Sequence, residues 1–555
     1  MDQGQSQDIL HRFLSSKIIG AKDGIMSVVT LGENPKKLDT ALLNTITTNA
    51  SLKLNPTHIS DWTILLGALQ DPIAQILSEE DYTLTPDLEK YPRTNISIPS
   101  NDQESDQGGW ATKFVSKATS PKTDLLAGKT VALKDNIAFA SVRCTNGTTA
   151  TSWTPTIDAP VATRILDAGA TITGKAACEN ACMEGDSDTS CTGPVHNVYA
   201  YGYSCGGSSS GSGRLVSSGE VNVAVGGDQG GSVRIPASMC GIVGLKPTWG
   251  LVPYTGILSL EATIDHAGPM ARNVRDCAAL LEVMAGPDGI DDRQPCNLPK
   301  RSYMADLDAS LTDCKPLAGV KIGVLSESLS IPGISEPIVT LFHRAVSTLR
   351  DLGAEIQEIS IPLHADAAAV WMCSLPLSGA PTALLNASTG RKQLHLNDRA
   401  PLPALSQDSF DALGPGAQTL YLRYLYLRHT TPPAFHGKCT NLLRRLNDAY
   451  DLALQSVSVL LTPTLPHPPS KLFPDPSSHG PLERLSRNLN LVANTAPFNS
   501  TGHPALSVPM GFVPARDDEG VKLPAGLQIV GRKFCEGDVF KVGAAFEGSG
   551  DWKTF

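Results

Sequence analysis

The chain has 555 residues, 41% of them hydrophobic and 18% charged, a balance that excludes a low-complexity or intrinsically disordered protein. Its formal net charge of -10, with no block of like charges, argues against nucleic acid as the main partner, because phosphate binding needs clustered Lys and Arg.

The N-terminal stretch MDQGQSQDILHRFLSSKIIG has neither the basic region nor the continuous apolar core of a secretory signal. No run of about 18 apolar residues predicts a membrane span. Residues 1–95 read as a helical N-terminal extension. Within it, HISDWTILLGALQDPIAQIL (58–77) places Ile59, Trp62, Leu65, Leu66 and Leu69 at helical spacing. The polar stretch NISIPSNDQESDQGGW opens a surface connector, taken as 96–125.

From Leu126 the pattern changes. LAGKTVALKDNI predicts a short strand ending at Lys134 and Asp135, and DAPVATRILDAGATITGKA predicts a helix, a glycine turn and a second strand. VKIGVLSE, PIVTLFHRAVSTLRDLG and AEIQEISI repeat the strand–helix–strand alternation, which predicts an α/β body over 126–555. A helical insertion, about 365–455, includes GAQTLYLRYLYLRH, read as a helix whose aromatic side packs inward. SVLLTPTLPHPPS, HPALSVPMGF and AGLQIVGR supply the last strands.

Twelve cysteines are scattered through apolar or glycine-rich contexts without a CxxC pair, Cys178 and Cys182 being the nearest neighbours. They read as buried free thiols of a cytoplasmic protein. No metal is expected, since no second cysteine pair or histidine stands at ligand spacing. The sequons at Asn95, Asn146 and Asn386 carry little meaning without a secretory signal.

The segment 202–244 carries the chemistry. It lacks both GxxxxGK[ST] and GxGxxG, so its free backbone N–H groups point to an oxyanion as readily as to a phosphate. GYSCG (202–206) matches the nucleophile-elbow pattern around Ser204, but PVHNVYAY before it is no buried strand. A third reading is a serine nucleophile without histidine. Ser232 follows GDQGG, whose glycines let a carbonyl approach the backbone amides closely. The serine cluster 208–210 is a candidate proton relay, and Lys134 a candidate base once burial holds it neutral. Alternation along a strand would turn Asp135 away from Lys134. A purely structural glycine-rich loop remains the competing reading.

Taken together, GKTVALKDNI, SCGGSSSGSG and GGDQGGSVRIPASMCGIVGLKPTWGLVPYTG resemble the amidase signature hydrolases. The likeness continues through ATIDHAGPMARNVRDCAALLEVMAGPDGIDDRQ, APFNSTGHPALSVPMGF and LPAGLQIVGRKF. It implies a central mixed, twisted β-sheet flanked by helices on both sides. It also implies a triad of Lys134, Ser208 after a cis peptide bond from Gly207, and the nucleophile Ser232. The backbone amides of Gln229, Gly230, Gly231 and Ser232 would form the oxyanion hole, supported by Asp228, Arg234 and Ser209, with Tyr254 near the substrate. No cofactor is implied.

Where many members have GSDTGGS this chain has GGDQGGS, resembling a subgroup of broad or enantioselective stand-alone amidases whose helical extension makes homodimer contacts. The expected reaction is hydrolysis of a small carboxamide to an acid and ammonia or an amine. The alternatives are a transamidase component of a tRNA-dependent amidotransferase and a non-catalytic binding module on the same fold.

Overall fold

The computed structural model describes residues 36–99, 108–150, 152–298, 301–310, 315–385, 387, 390–392 and 405–554. Expectations that fall on 1–35, on 100–107 or on Asn386 lie outside the described residues.

The strands are Thr94–Ser97 (β1), Trp110–Lys117 (β2), Thr130–Lys134 (β3), Thr171–Ala176 (β4), Val223–Asp228 (β5), Val243–Lys246 (β6), His266–Ala271 (β7), Lys321–Leu325 (β8), Glu355–Ile359 (β9), Val459–Pro463 (β10), Ala505–Pro514 (β11) and Lys522–Gly531 (β12). They form one mixed sheet in the order β1-β2-β4-β3-β5-β7-β6-β11-β12-β10-β8-β9. β3 runs parallel to both β4 and β5, whereas β5 pairs antiparallel with β7.

The continuous apolar run of β3 has a direct cause: both faces of this part of the sheet are covered. Val131 and Leu133 of β3, with Val223 and Val225 of β5, belong to a large core that includes helices Pro160–Asp167, Val274–Met284 and Glu336–Asp351. Ala132 and Ala224 point the other way, into a second core with Leu215 and Val216 of helix Ser210–Ser218 and Ala237 of helix Arg234–Met239. Two-residue alternation therefore places Lys134 on the same face as the helices that follow Ser208 and Ser232. The serine-rich helix stops at Gly219, whose φ of 84° supplies the left-handed cap.

The chain divides into two compact units, Met1–Thr83 and Leu84–Phe555, rather than near residue 95. The boundary is earlier because Tyr91 sits in the core of the second unit, donating its hydroxyl to Asp167, and β1 pairs with β2. Within the stretch expected to be a connector, Trp110–Lys117 is a strand hydrogen-bonded to β4. Its half-buried pattern follows directly on a polar stretch, which masks it in the sequence.

In the first unit the helix expected over 58–77 is two helices, Ile59–Gly67 and Gln70–Ser78. Pro72 falls in the first turn of the second, where a missing N–H costs nothing. Trp62 and Leu69 are 41% and 52% exposed.

The helical insertion contains Leu363–Leu385, Pro415–Thr430 and Phe435–Ala453. The first is long and apolar enough, by length and composition, to cross a membrane. It nevertheless carries His364 and Asp366, and its Leu375, Ala380, Ala383 and Leu384 pack in a core cluster with Ala417 and Leu420. Tyr421 and Tyr424 lie against that cluster as expected, while Tyr426 faces out.

Candidate active site

Lys134 ends β3 fully buried, and its Nζ donates to Ser208 Oγ at 2.8 Å and to the Gly227 carbonyl at 3.3 Å. Asp135 turns away, accepting from the Thr145 N–H at 2.9 Å, with Lys175 at 3.8 Å. The strand alternation expected at this pair is what keeps the Asp135 carboxylate off the Lys134–Ser208 contact.

The Gly207–Ser208 peptide bond is cis. A Cβ on Gly207 would lie 2.4 Å from the Glu184 carbonyl oxygen and 2.6 Å from that of Asp186, so only glycine fits. Ser209 spans the space between the two loops: its backbone N–H donates to the Ser232 carbonyl at 3.3 Å, and its hydroxyl lies 3.3 Å from both the N–H and the carbonyl of Gly227. The loop carrying Ser208 is thus tied to the loop carrying Ser232.

Residues 229–232 form the turn between β5 and helix Arg234–Met239, and Ser232 is 9% exposed. Among the described residues, no backbone hydrogen bond in this turn uses the N–H of Gly230, Gly231 or Ser232 as donor. Asp228 and Arg234 clamp its two ends. Arg234 also donates to the Thr495 carbonyl at 3.0 Å, Gln528 Oε1 at 2.8 Å and Asn499 Oδ1 at 2.7 Å. Burial pushes the Asp228 carboxyl up, but the Arg234 charge and the hydrogen bonds from Arg234 and Asn499 outweigh it and hold the group well below the carboxylate range.

Tyr254 is buried, with its hydroxyl accepting from Gln229 Nε2 at 2.7 Å, so it braces the side chain of the turn. Ser204 of the elbow-like GYSCG is fully buried, its hydroxyl 3.3 Å from Ser187 Oγ and accepting from the Gly206 N–H at 2.9 Å.

Several neighbours are not apparent in the motifs. Glu179 anchors the Ser208 loop: its N–H donates to the Ser208 carbonyl at 3.1 Å and Oε1 accepts from Ser210 Oγ at 2.6 Å. Burial pushes its carboxyl up to about 7 against the hydrogen bonds from Ser210 and Thr189. The Cys182 thiol, in contact with Cys178, Lys134 and Ser208, is shifted down, first by the Cys178 contact. Trp371, in helix Leu363–Leu385, stands so close to Gly230 that a Cβ there would lie 2.8 Å from its ring. It also borders a cavity of about 510 Å³ with Trp249, Ile264, Leu375, Leu443 and Phe534. No local signal flags Trp371, which lies more than 100 residues after the turn it packs against.

Among the described residues no three His, Cys, Asp or Glu side chains are grouped to hold a metal ion, and no cysteine is in a disulfide.

A mixed α/β sheet that presents a buried lysine to one serine, beside a glycine turn bearing another, defines a class of C–N hydrolases rather than a nucleotide-binding fold. The family model described as Amidase matches residues 109–540, and the chain belongs to the amidase signature family. It is 40% identical to an enantioselective amidase of Rhodococcus rhodochrous over 431 residues, 76% of this chain and 80% of that one. Among solved structures, a glutamyl-tRNA(Gln) amidotransferase subunit of Thermotoga maritima superposes with a TM-score of 0.61 at 28% identity, covering 78% of this chain and 85% of that chain. The peptide amidase of Stenotrophomonas maltophilia gives 0.59 at 26%, covering 76% and 82%. The protein is an amide-hydrolysing enzyme.

Proposed function

We propose that the chain is a stand-alone amidase that hydrolyses a small carboxamide through a Ser232 acyl-enzyme. The observation that carries this reading is the 2.8 Å hydrogen bond between Lys134 and Ser208, buried beside the Ser232 turn. Lys134 takes the Ser208 proton while Ser208 takes that of Ser232, whose Oγ adds to the carbonyl carbon. The N–H groups of 229–232 receive the developing oxyanion; losing one such donor in comparable enzymes costs about 2.7–4 kcal/mol. Ser208 then returns a proton to the nitrogen as the C–N bond breaks. Water attacks the acyl carbon by the same relay, releasing the acid and restoring Ser232.

The test joins a fluorophosphonate label with hydroxylamine trapping. Labelling at Ser232, hydroxamate formation from a turned-over amide, and loss of both in Ser232→Ala are expected. Full activity in Ser232→Ala overturns the reading.

A second reading, a transamidase component of a larger complex, draws on the likeness to the glutamyl-tRNA(Gln) amidotransferase structure. The 40% identity to an enantioselective amidase favours the hydrolase. Ammonia release by the purified chain, as a homodimer in light scattering, is expected; activity that appears only with partner proteins would favour the transamidase.

A further inference from the structure

Cys178 and Cys182 flank Glu179, and their thiols touch each other. Cys182 also touches Ser208 and Lys134 and, as a thiol, donates to Asn146 Oδ1 at 3.2 Å. The chain from Cys178 to Cys182 turns tightly: the Cys182 N–H donates to the Glu179 carbonyl at 2.8 Å, and Ala181 and Cys182 hold φ of 50° and 59°. Left-handed backbone in two consecutive non-glycine residues is uncommon and persists where the surrounding structure enforces it, as in active sites and switch segments. This same turn carries the Ser208 loop, since the Glu179 N–H donates to the Ser208 carbonyl at 3.1 Å and its carboxylate accepts from Ser210.

We propose that Cys178 and Cys182 form a peroxide-modification site, in which a reversible disulfide between them switches the enzyme off. The Cys182 thiolate attacks one oxygen of hydrogen peroxide. The O–O bond breaks, hydroxide leaves, and the sulfur is oxidised to a sulfenic acid as the peroxide is reduced. The Cys178 sulfur then gives up its proton and attacks that sulfur; the S–S bond forms, the S–O bond breaks, and water leaves. A disulfide needs its sulfurs about 2.05 Å apart, well inside a thiol–thiol contact. Closing it therefore draws Cys182 away from Ser208 and Lys134 and contracts the turn around Glu179, which holds the Ser208 carbonyl.

The surroundings of the two sulfurs assign their roles. Cys182 keeps 8% exposure, room for a molecule as small as peroxide, whereas Cys178 is fully buried. The Cys178 hydrogen bond first, then the Lys134 charge and the Ser208 hydroxyl, outweigh burial and hold the Cys182 thiol below its ordinary range, while Cys178 is pushed up. The thiolate is the reactive form, so Cys182 is attacked first and Cys178 resolves it. A second touching pair, Cys205 and Cys240, supplies an internal contrast: both are fully buried, and burial pushes the Cys205 thiol up.

The experiment treats the reduced full-length protein with millimolar hydrogen peroxide, blocks the remaining thiols with iodoacetamide, and maps peptides after unfolding. Cleavage after Glu179 puts Cys178 and Cys182 on separate peptides that only the disulfide keeps joined. Expected are that joined pair, no Cys205–Cys240 link, and fluorophosphonate labelling of Ser232 at least tenfold slower than in the reduced protein, restored by dithiothreitol. In Cys178→Ala the sulfenic acid has no partner. Dimedone is expected to capture it at Cys182, and prolonged peroxide to give a sulfinic acid that dithiothreitol does not reverse. Cys182→Ser is expected to keep its own labelling rate through the same treatment. Absence of the joined pair in wild type overturns the proposal, as does a joined pair with labelling within twofold of the reduced protein. An equal loss of labelling in Cys182→Ser overturns it too. If the reduced wild type does not label at Ser232, the acyl-enzyme reading fails instead, and ammonia release from a turned-over amide replaces labelling as the readout.

Discussion

Asp228 and Arg234 meet in two parallel hydrogen bonds, Nε to Oδ2 at 3.0 Å and Nη2 to Oδ1 at 2.9 Å, with neither side chain exposed to solvent. The pair closes the two ends of the turn that carries Ser232, and the Val233 N–H adds a third contact to the same carboxylate at 3.1 Å. Removing one partner of a buried pair leaves the other charged and uncompensated, which costs about 3–5 kcal/mol. Asp228→Ala is therefore expected to lower stability by that amount in urea unfolding. Asp228→Asn, which keeps an acceptor for Asn499 or Arg234, is expected to lose less. A loss below about 1 kcal/mol in Asp228→Ala would mean that the other partners of Arg234 suffice to hold it.

Gly207 sets the approach of the Ser208 loop to the chain at 184–186, and the obstructing atoms are backbone carbonyl oxygens that cannot rotate away. Gly207→Ala is expected to reduce kcat/KM at least 100-fold by displacing Ser208 from Lys134. Gly437, in helix Phe435–Ala453, is the matched control, because a Cβ there meets nothing within 4 Å. Alanine at that site is expected to leave activity intact and to raise stability by up to about 1 kcal/mol through helix propensity. Comparable rates in wild type and Gly207→Ala would show that the loop can rearrange.

Burial pushes the Glu184 carboxyl up to about 8, against the hydrogen bond it accepts from the Gly416 N–H and reinforced by Asp188, Glu179 and Asp186. Its folded-state pKa thus lies above that of the unfolded chain, roughly 4.3. The stability this group contributes is fully present below the unfolded value and is lost as pH rises through 8. Glutamine keeps the acceptor and cannot ionise. The Tm of Glu184→Gln is expected to match wild type near pH 4.5 and to exceed it progressively up to pH 8. A Tm difference that stays flat with pH would refute the shift.

The parts legible in the sequence are those whose cause is local. The run TVALK is apolar because β3 is covered on both faces, and its alternation alone separates Lys134 from Asp135. The glycines of 226–231 announce a turn with free amides because only glycine allows such close approach, as at Gly230 under Trp371. What escapes is whatever depends on long-range packing. Strand β2 hides behind a polar stretch, because its hydrogen bonds come from β4 more than 50 residues later. The clamp on Arg234 by Thr495, Asn499 and Gln528 joins segments that share no pattern in the chain. Tyr254, expected near the substrate, holds the Gln229 side chain through a bond that only the folded turn creates.

The contact between Gly230 and Trp371 joins the Ser232 turn to the helical insertion. A Cβ on Gly230 would lie 2.8 Å from Cζ2 and 3.1 Å from Cη2 of the indole, closer than a packed ring tolerates. Gly230→Ala must therefore move either the ring or the turn. The ring is held against the core cluster of Leu260, Leu375 and Ala380, so the turn is expected to yield. Displacing its N–H groups from the oxyanion position is expected to cost about 10²–10³ in the rate of fluorophosphonate labelling at Ser232. Trp371→Leu removes the obstructing ring edge. Contacting residues couple non-additively, so the double variant Gly230→Ala/Trp371→Leu is expected to label at least tenfold faster than Gly230→Ala alone. If the double variant is no faster, the defect lies in the turn itself and not in its contact with the helix. Recovery in the double variant would establish that the helical insertion sets the position of the turn through this one side chain.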